Sequence, residues 1–201
     1  TSTSDIRGIP SEAEIVDAVT SSNNCATGVD GIHRVHIIGL GDIAWSEWVE
    51  IVKGCFRCKK IPIKTQIIRM VAMHKGKSLP KNQLTNYRAI ALITLLSKIC
   101  ESILKKRTLK YLEGLGYWSE ETPQRGFRED CSTADVILIL TFLADMARTM
   151  ELDDIADALV LLMIDFKKAF PSVVRECVYR ILKRVGVPEQ DIDLLKDLHE
   201  N

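Results

Sequence analysis

Apolar positions recur at helical spacing over much of the chain. Such a repeat predicts amphipathic helices, because residues three and four apart lie on one face of a helix. Pro10, Ser11 and Glu14 are typical of a helix start with a capping box. The predicted helices cover residues 11–22, 42–59, 95–113, 132–150, 172–185 and 189–200.

Three shorter apolar segments predict strands. Residues 66–74 and 88–93 are β-branched and apolar, and a loop with Gly, Pro and Asn at residues 75–86 separates them. This order predicts a β-hairpin with a long tip. A run of Leu, Val and Ile at residues 159–164 predicts a buried strand that has Asp165 at its carboxyl end. The pattern is that of a helix-rich α+β protein.

The composition is that of a globular protein with a sizeable core, since 46% of the 201 residues are hydrophobic. The longest uncharged apolar run, residues 158–164, is far shorter than the roughly 18 residues of a membrane span. Residues 1–10 lack the features of a secretory signal, and six scattered cysteines are typical of reduced thiols. We therefore expect an intracellular protein without a membrane segment.

The formal net charge is zero, but the charges are unevenly distributed. Residues 53–110 include fifteen Lys or Arg and a single acid, Glu101, whereas the rest of the chain has twelve bases and twenty-six acids. Cations with so few acidic neighbours favour a nucleic-acid-binding surface, where each neutralised phosphate releases a counterion. The alternative is a basic, solvated face of two or three helices.

Asp165 is the strongest candidate for chemistry. It ends the predicted buried strand, and Lys167 and Lys168 follow it. An isolated acid on an apolar strand is costly unless it binds something charged. A divalent metal ion that carries a polyphosphate would use an acid and nearby cations together. The alternative is an Asp that caps the following turn.

The segment around Asp165 resembles the first catalytic motif of reverse transcriptases, in particular those of non-LTR retrotransposons and the related group II intron enzymes. Three further blocks match in the expected order: ATGVDGI at residues 26–32, NYRAIALITLLSKICESIL at residues 86–104 and QRGFREDCSTAD at residues 124–135. The resemblance implies an RNA-directed DNA polymerase with a right-hand fold. Residues 1–150 would form its fingers and residues 151–201 the first, incomplete part of its palm.

The resemblance also implies nucleotidyl transfer by two metal ions. Asp165 would be the first metal ligand, and the backbone carbonyl of Phe166 would complete a corner of the second site. The ions would be Mg²⁺, with Mn²⁺ as the alternative. The peptide groups of Lys168 and Ala169 would face the triphosphate. Phe170 matches the aromatic residue that packs under the sugar and excludes a 2′-hydroxyl, and ordinary core packing is its alternative interpretation.

The predicted hairpin would supply the cations that clamp the triphosphate. By resemblance these are Lys75 and Arg88, one from each strand. A guanidinium can bind phosphate oxygens bidentately, whereas an ammonium acts as a point charge. Lys77 and Lys81 are alternatives to Lys75, and each lysine taken singly fits an exposed loop tip equally well.

A third group of residues matches the family block that lies along the template and the nascent base pair. Its glycine would allow close backbone approach, and Ser132 or Thr133 would cap the next helix. The alternative is a loop pinned by its phenylalanine ahead of a helix cap. The template-contacting residues by resemblance are Gln124, Arg125, Gly126, Phe127 and Arg128.

The chain departs from the family pattern at three points. Pro171 stands where relatives usually have Asp, Ala89 follows Arg88 where most have Pro, and no aromatic-X-Asp-Asp sequence is present to supply the remaining carboxylates. We therefore expect a fragment that extends no primer alone. Its expected partners are an RNA template, a DNA primer or target, dNTPs, and the rest of the palm and thumb from a longer polypeptide.

The alternative function is a decayed or co-opted module that binds RNA or has a structural role and has no catalytic activity. For a eukaryotic retroelement protein, we expect the nucleus and cytoplasm as its location.

Overall fold

The computed structural model of the chain describes residues 8–22, 26–76, 78–117, 124–128, 131–149, 160–166 and 169–200. They form two compact units, Thr1–Leu115 with Glu176–Asn201, and Gly116–Arg175. These units do not test the functional division at residues 150 and 151, which stays a prediction. The elements in chain order are α1 (Glu12–Ser21), α2 (Arg34–Ile38), α3 (Asp42–Cys58), β1 (Arg69–His74), β2 (Tyr87–Leu92), α4 (Leu95–Gly114), α5 (Thr133–Thr149), α6 (Arg175–Val185) and α7 (Glu189–Glu200).

Two of the helix starts show the capping that the sequence predicts. The Ser11 hydroxyl accepts a hydrogen bond from the Glu14 amide at 3.3 Å, and the Glu14 carboxylate accepts one from the Ser11 amide at 2.8 Å. This is a capping box, and α1 follows it. Ser132 caps α5 in a similar way, because its hydroxyl accepts from the Ala134 amide at 3.1 Å.

The core of the first unit lies where α1, α3, α4 and α7 meet. Each of these helices contributes side chains that are almost fully buried, and burial of an aliphatic side chain stabilises a fold by roughly 1.5 to 3 kcal/mol. A second, smaller cluster forms where α6 turns back onto α7. The central residues of the main core are Ile15, Val52, Ile99, Ile103 and Leu194, and those of the smaller cluster are Tyr179, Val187 and Ile192.

The predicted hairpin is confirmed. β1 and β2 pair antiparallel, with Arg69 opposite Leu92 and His74 opposite Tyr87. β1 begins three residues later than predicted, because its partner β2 ends at Leu92, opposite Arg69, and residues 66–68 have no strand residues to pair with. The Thr94 hydroxyl donates to the Thr65 carbonyl at 2.7 Å, and this bond ties the two ends of the hairpin together.

Gly28 of the ATGVDGI block lies against the point where β2 passes into α4. A β-carbon at Gly28 would lie 2.7 Å from both the carbonyl carbon of Ile93 and the amide nitrogen of Thr94. Both neighbours are backbone atoms, so a side chain at this position has no flexible group to displace. The glycine is therefore required for close approach of two backbone segments.

The second unit corrects one prediction. The part of the predicted strand at residues 159–164 that the structure describes is not a strand, and its apolar side chains are exposed, 85% for Val160 and 84% for Met163. A strand needs a neighbour to pair its backbone groups, and the hairpin is the only sheet in the described residues. The predicted turn at residues 151–157 lies outside those residues.

Two helix predictions also change. α2 has only five residues and was not predicted, because one turn and a half is too short to show a 3.6-residue repeat. α6 begins at Arg175 and not at Ser172, because Phe170–Ser172 form a separate 3₁₀ turn that contains Pro171. In the described part of the chain, no helix combines the length and the apolar character that crossing a bilayer demands.

Candidate nucleotide and nucleic-acid site

The hairpin places three cations on one face. Met73 is opposite Arg88, and the amide of Lys75 continues the ladder by donating to the Asn86 carbonyl at 2.8 Å. Side chains two residues apart share a face of a strand, and directly opposite residues share a face of the sheet. Lys75 and Arg88 are therefore diagonal neighbours, with α-carbons roughly 7 to 8 Å apart by ordinary sheet geometry. Arg69 lies farther along the same face.

Arg69 was not predicted as a site residue. A cation inside the predicted strand at residues 66–74 looks like an ordinary solvated side chain, and only its even spacing from Lys75 signals a shared face. Arg69, Lys75 and Arg88 are all exposed. The structure thus brings the two predicted clamp residues together, and adds a third cation beside them, while their role stays a prediction.

Lys75 also holds the hairpin tip. Its ammonium group donates to the Thr85 carbonyl at 2.6 Å. The side-chain amide of Asn86 donates to the Pro80 carbonyl at 2.8 Å, and the Tyr87 hydroxyl donates to the Lys81 carbonyl at 2.9 Å. The alternative clamp residue Lys81 therefore lies in an ordered loop, whereas Lys77 lies outside the described residues. A phosphate that engaged Lys75 would compete with the Thr85 carbonyl.

Asp165 and Phe166 lie in the exposed segment at residues 160–166, and Phe166 is 77% exposed. The described residues contain no group of three His, Cys, Asp or Glu side chains that would hold a metal ion. The carboxylate of Asp165 and the carbonyl of Phe166 are hard oxygen donors, which suit Mg²⁺ or Mn²⁺. Lys168 lies outside the described residues.

Two predicted site residues of the second unit are in contact. The rings of Phe127 and Phe170 meet edge to face, with centroids 6.1 Å apart and planes at 90°. Such a pair contributes about 0.5 to 1.5 kcal/mol beyond its buried area. Phe170 begins the 3₁₀ turn that follows Ala169, and Phe127 has a positive φ of 64°. Phe170, which the resemblance assigns to the sugar, and Phe127, which it assigns to the template, are therefore neighbours.

The loop that contains Phe127 is held by local hydrogen bonds. The Gln124 side-chain amide donates to the Gly126 carbonyl at 3.2 Å, and the Arg128 guanidinium donates to the Gln124 carbonyl at 3.5 Å. A β-carbon at Gly126 would lie 3.2 Å from the Gln124 amide nitrogen. Arg125 is partly buried and lies 4.0 Å from the Cys131 sulfur. These contacts fit both a template loop and a purely structural loop.

A helical unit that carries a basic hairpin face is the kind of surface that binds polyanions. The comparison with protein families specifies the class: a family described as reverse transcriptase (RNA-dependent DNA polymerase) matches residues 79–199. The match spans more than half of the chain, and the chain belongs to the reverse transcriptase family. No curated protein matches the chain.

The family match begins in the hairpin tip and includes β2, α4, α5, Asp165, α6 and α7. For the family in general, it implies a nucleic-acid template, deoxynucleoside triphosphates and divalent metal ions. The ATGVDGI block and β1 lie outside the matched residues.

Proposed function

We propose that this chain supplies the fingers and the first catalytic carboxylate of an RNA-directed DNA polymerase of the non-LTR retrotransposon type. The observation that carries the proposal is the family match, which includes both Arg88 and Asp165. The placement of Lys75 and Arg88 on one face of the hairpin supports it, because a triphosphate clamp needs both cations on the same side.

The hairpin would hold the triphosphate of an incoming nucleotide. The Arg88 guanidinium would bind two phosphate oxygens at once, and the Lys75 ammonium would exchange the Thr85 carbonyl for a phosphate oxygen. Arg69 extends the cationic face towards the base of the hairpin. This arrangement recognises charge and leaves the identity of the base to the template.

Asp165 and the Phe166 carbonyl would hold Mg²⁺ or Mn²⁺, which supplies activation of the primer hydroxyl and neutralises the triphosphate when bound. One carboxylate cannot span two ions, so the complete site needs further carboxylates. Phe170 would pack under the deoxyribose, where its ring collides with a 2′-hydroxyl. Its contact with Phe127 would keep the ring in place.

We expect the chain to bind an RNA–DNA primer–template with a steep salt dependence and to extend no primer. Each phosphate contact contributes about 0.9 to the slope of log K against log salt concentration on a duplex. Replacing both Lys75 and Arg88 by alanine should reduce that slope by about 1 to 2, as measured by fluorescence anisotropy at several salt concentrations.

The matched control replaces Lys53 and Arg57 by alanine, which removes the same charge from α3. Both of these cations already pair with Glu50, at 3.1 and 3.4 Å. This control should keep the parental slope. A parental slope in the hairpin variant would contradict contact of the hairpin cations with phosphates of the primer–template, and detectable extension by the pure chain would contradict the need for further carboxylates.

The co-opted, inactive module is the second candidate. Pro171, Ala89 and the exposed, unpaired segment at residues 160–166 favour it. The two candidates differ in whether Asp165 still binds a metal-bound nucleotide. If it does, dNTP should raise the melting temperature of the chain only when Mg²⁺ is present, and Asp165→Ala should abolish the increase. An unchanged melting temperature in the parent chain would favour the inactive module.

A further inference from the structure

A cavity of about 500 Å³ lies between α4 and α7 in the first unit. Its volume is within the roughly 300 to 1,000 Å³ that is usual for small-molecule sites. The residues that give it an apolar wall are Leu104, Leu109, Leu182, Val187, Ile192 and Leu195. All of them belong to the helical unit, and none is among the residues assigned to nucleotide or template.

Asp191 also lines this cavity, and it is only 4% exposed. Its Oδ1 atom is buried and has no hydrogen-bond partner. Burial raises the pKa of Asp191 to about 6, while Arg107 acts to lower it and Glu14 to raise it. A buried carboxylate oxygen without a donor destabilises a fold, since its lost hydration is not replaced.

A second acid faces the same space. Glu101 of α4 lines the cavity, and burial raises its pKa, with Lys98 acting in the opposite direction. Lys98, Lys105 and His199 complete the polar part of the lining. The two lysines balance the two acids in number, but the Asp191 Oδ1 atom has no donor, so an apolar molecule with one hydrogen-bond-donating cationic group is complementary to this lining.

We propose that this cavity binds a small apolar molecule with one protonated amine, which donates to the Asp191 carboxylate while the apolar body packs between α4 and α7. Lys98 and Lys105 equal the two acids of the lining in number, so the preference for an amine would come from Asp191, whose Oδ1 atom has no hydrogen-bond donor. The proposal rests on the cavity and on the unpaired Oδ1 atom, and it is independent of the polymerase function.

Three probes with the same apolar body test the proposal: 4-phenylbutylamine, 4-phenylbutan-1-ol and 4-phenylbutyrate. Binding to the whole chain is measured by isothermal titration calorimetry at pH 7.5. Hydrogen bonds to charged groups are stronger than neutral ones, so the amine should bind about tenfold more tightly than the alcohol, and the carboxylate most weakly.

Asp191→Asn should remove the preference for the amine and leave binding of the alcohol unchanged. The variant should fold, because it replaces a desolvated acid by a neutral group of similar size; circular dichroism checks this. The control is Asp193→Asn on the same helix, whose carboxylate pairs with Lys59 at 3.0 Å and does not line the cavity. It should keep the preference.

Three results would overturn the proposal: equal affinity of the parent chain for the amine and the alcohol, no binding of any probe, or a preference for the amine that survives in Asp191→Asn. In the last case the amine would bind elsewhere on the chain.

Discussion

Arg107→Ala is expected to destabilise the first unit by about 2 to 4 kcal/mol. Arg107 is 5% exposed, and its guanidinium donates to the two carboxylate oxygens of Glu14 at 2.7 and 3.0 Å and to the Gly8 carbonyl at 2.8 Å. Removing one partner of a fully buried ion pair costs roughly 3 to 5 kcal/mol. We expect a smaller loss of stability because the Glu14 side chain is 35% exposed, so water can replace part of the lost pairing.

The acid dependence of stability should change as well. Burial alone would raise the pKa of Glu14, but the hydrogen bonds from Arg107 and Ser11 hold that pKa below its ordinary value of 4.5. An acid whose pKa is lowered on folding contributes stability above its ordinary pKa, and this contribution is lost as the pH falls below it. In Arg107→Ala, the decrease in the free energy of unfolding below pH 4.5 should therefore be smaller than in the parent chain.

Urea unfolding followed by circular dichroism at pH 7 and pH 4 measures both effects. Arg57→Ala is the matched control, because Arg57 is exposed and its pair with Glu50 spans 3.4 Å. Exposed ion pairs contribute little, so this control should unfold with the parent chain. An Arg107→Ala variant with parental midpoints at both pH values would show that the Glu14–Arg107 pair does not hold α1 against α4.

Gly28→Ala is expected to destabilise the first unit by about 1 to 3 kcal/mol, the usual cost of inserting a methyl group into a close-packed site. The added β-carbon would come within 2.7 Å of Ile93 and Thr94 backbone atoms. The start of α4 or the end of β2 must therefore move. Because Thr94 also bonds to Thr65, the hairpin base should loosen with it.

Hydrogen exchange of the β2 amides, together with urea unfolding, tests this prediction. Exchange should be faster in Gly28→Ala than in the parent chain, since the junction of β2 with α4 has shifted. Gly54→Ala is the control: its added β-carbon meets nothing within 4 Å, and Gly54 lies inside α3, where alanine is the better helix former. Equal stability and exchange in the two variants would contradict the close approach at Gly28.

The sequence was sufficient for elements whose signals are local. The long helices α3, α4 and α7 have sustained apolar repeats, and the start of α1 has a capping box that depends on four consecutive residues. The hairpin follows from alternation on either side of a polar loop. In contrast, the apolar run before Asp165 has a strand's composition, yet pairing depends on a neighbour that local sequence does not supply.

The site was predictable only in part for the same reason. Order along the chain placed Lys75 and Arg88 on different strands, but their shared face depends on the register, which also brings in Arg69. Asp191 was not predicted as unusual, because an acid in the first turn of a helix is common and usually solvated. Its burial arises from the packing of α7 against α4, which joins residues far apart in sequence.

The first unit is completed by a helix that leaves the ribosome only after the whole second unit. Leu194 of α7 is buried in the core with residues of α3 and α4. The Asp197 carboxylate of the same helix accepts from the Ile61 amide, shortly after α3, at 2.7 Å. Residues 116–175 separate α7 from these partners in the sequence. During synthesis, the apolar face of α3 and α4 that α7 covers therefore stays exposed until α7 has been made.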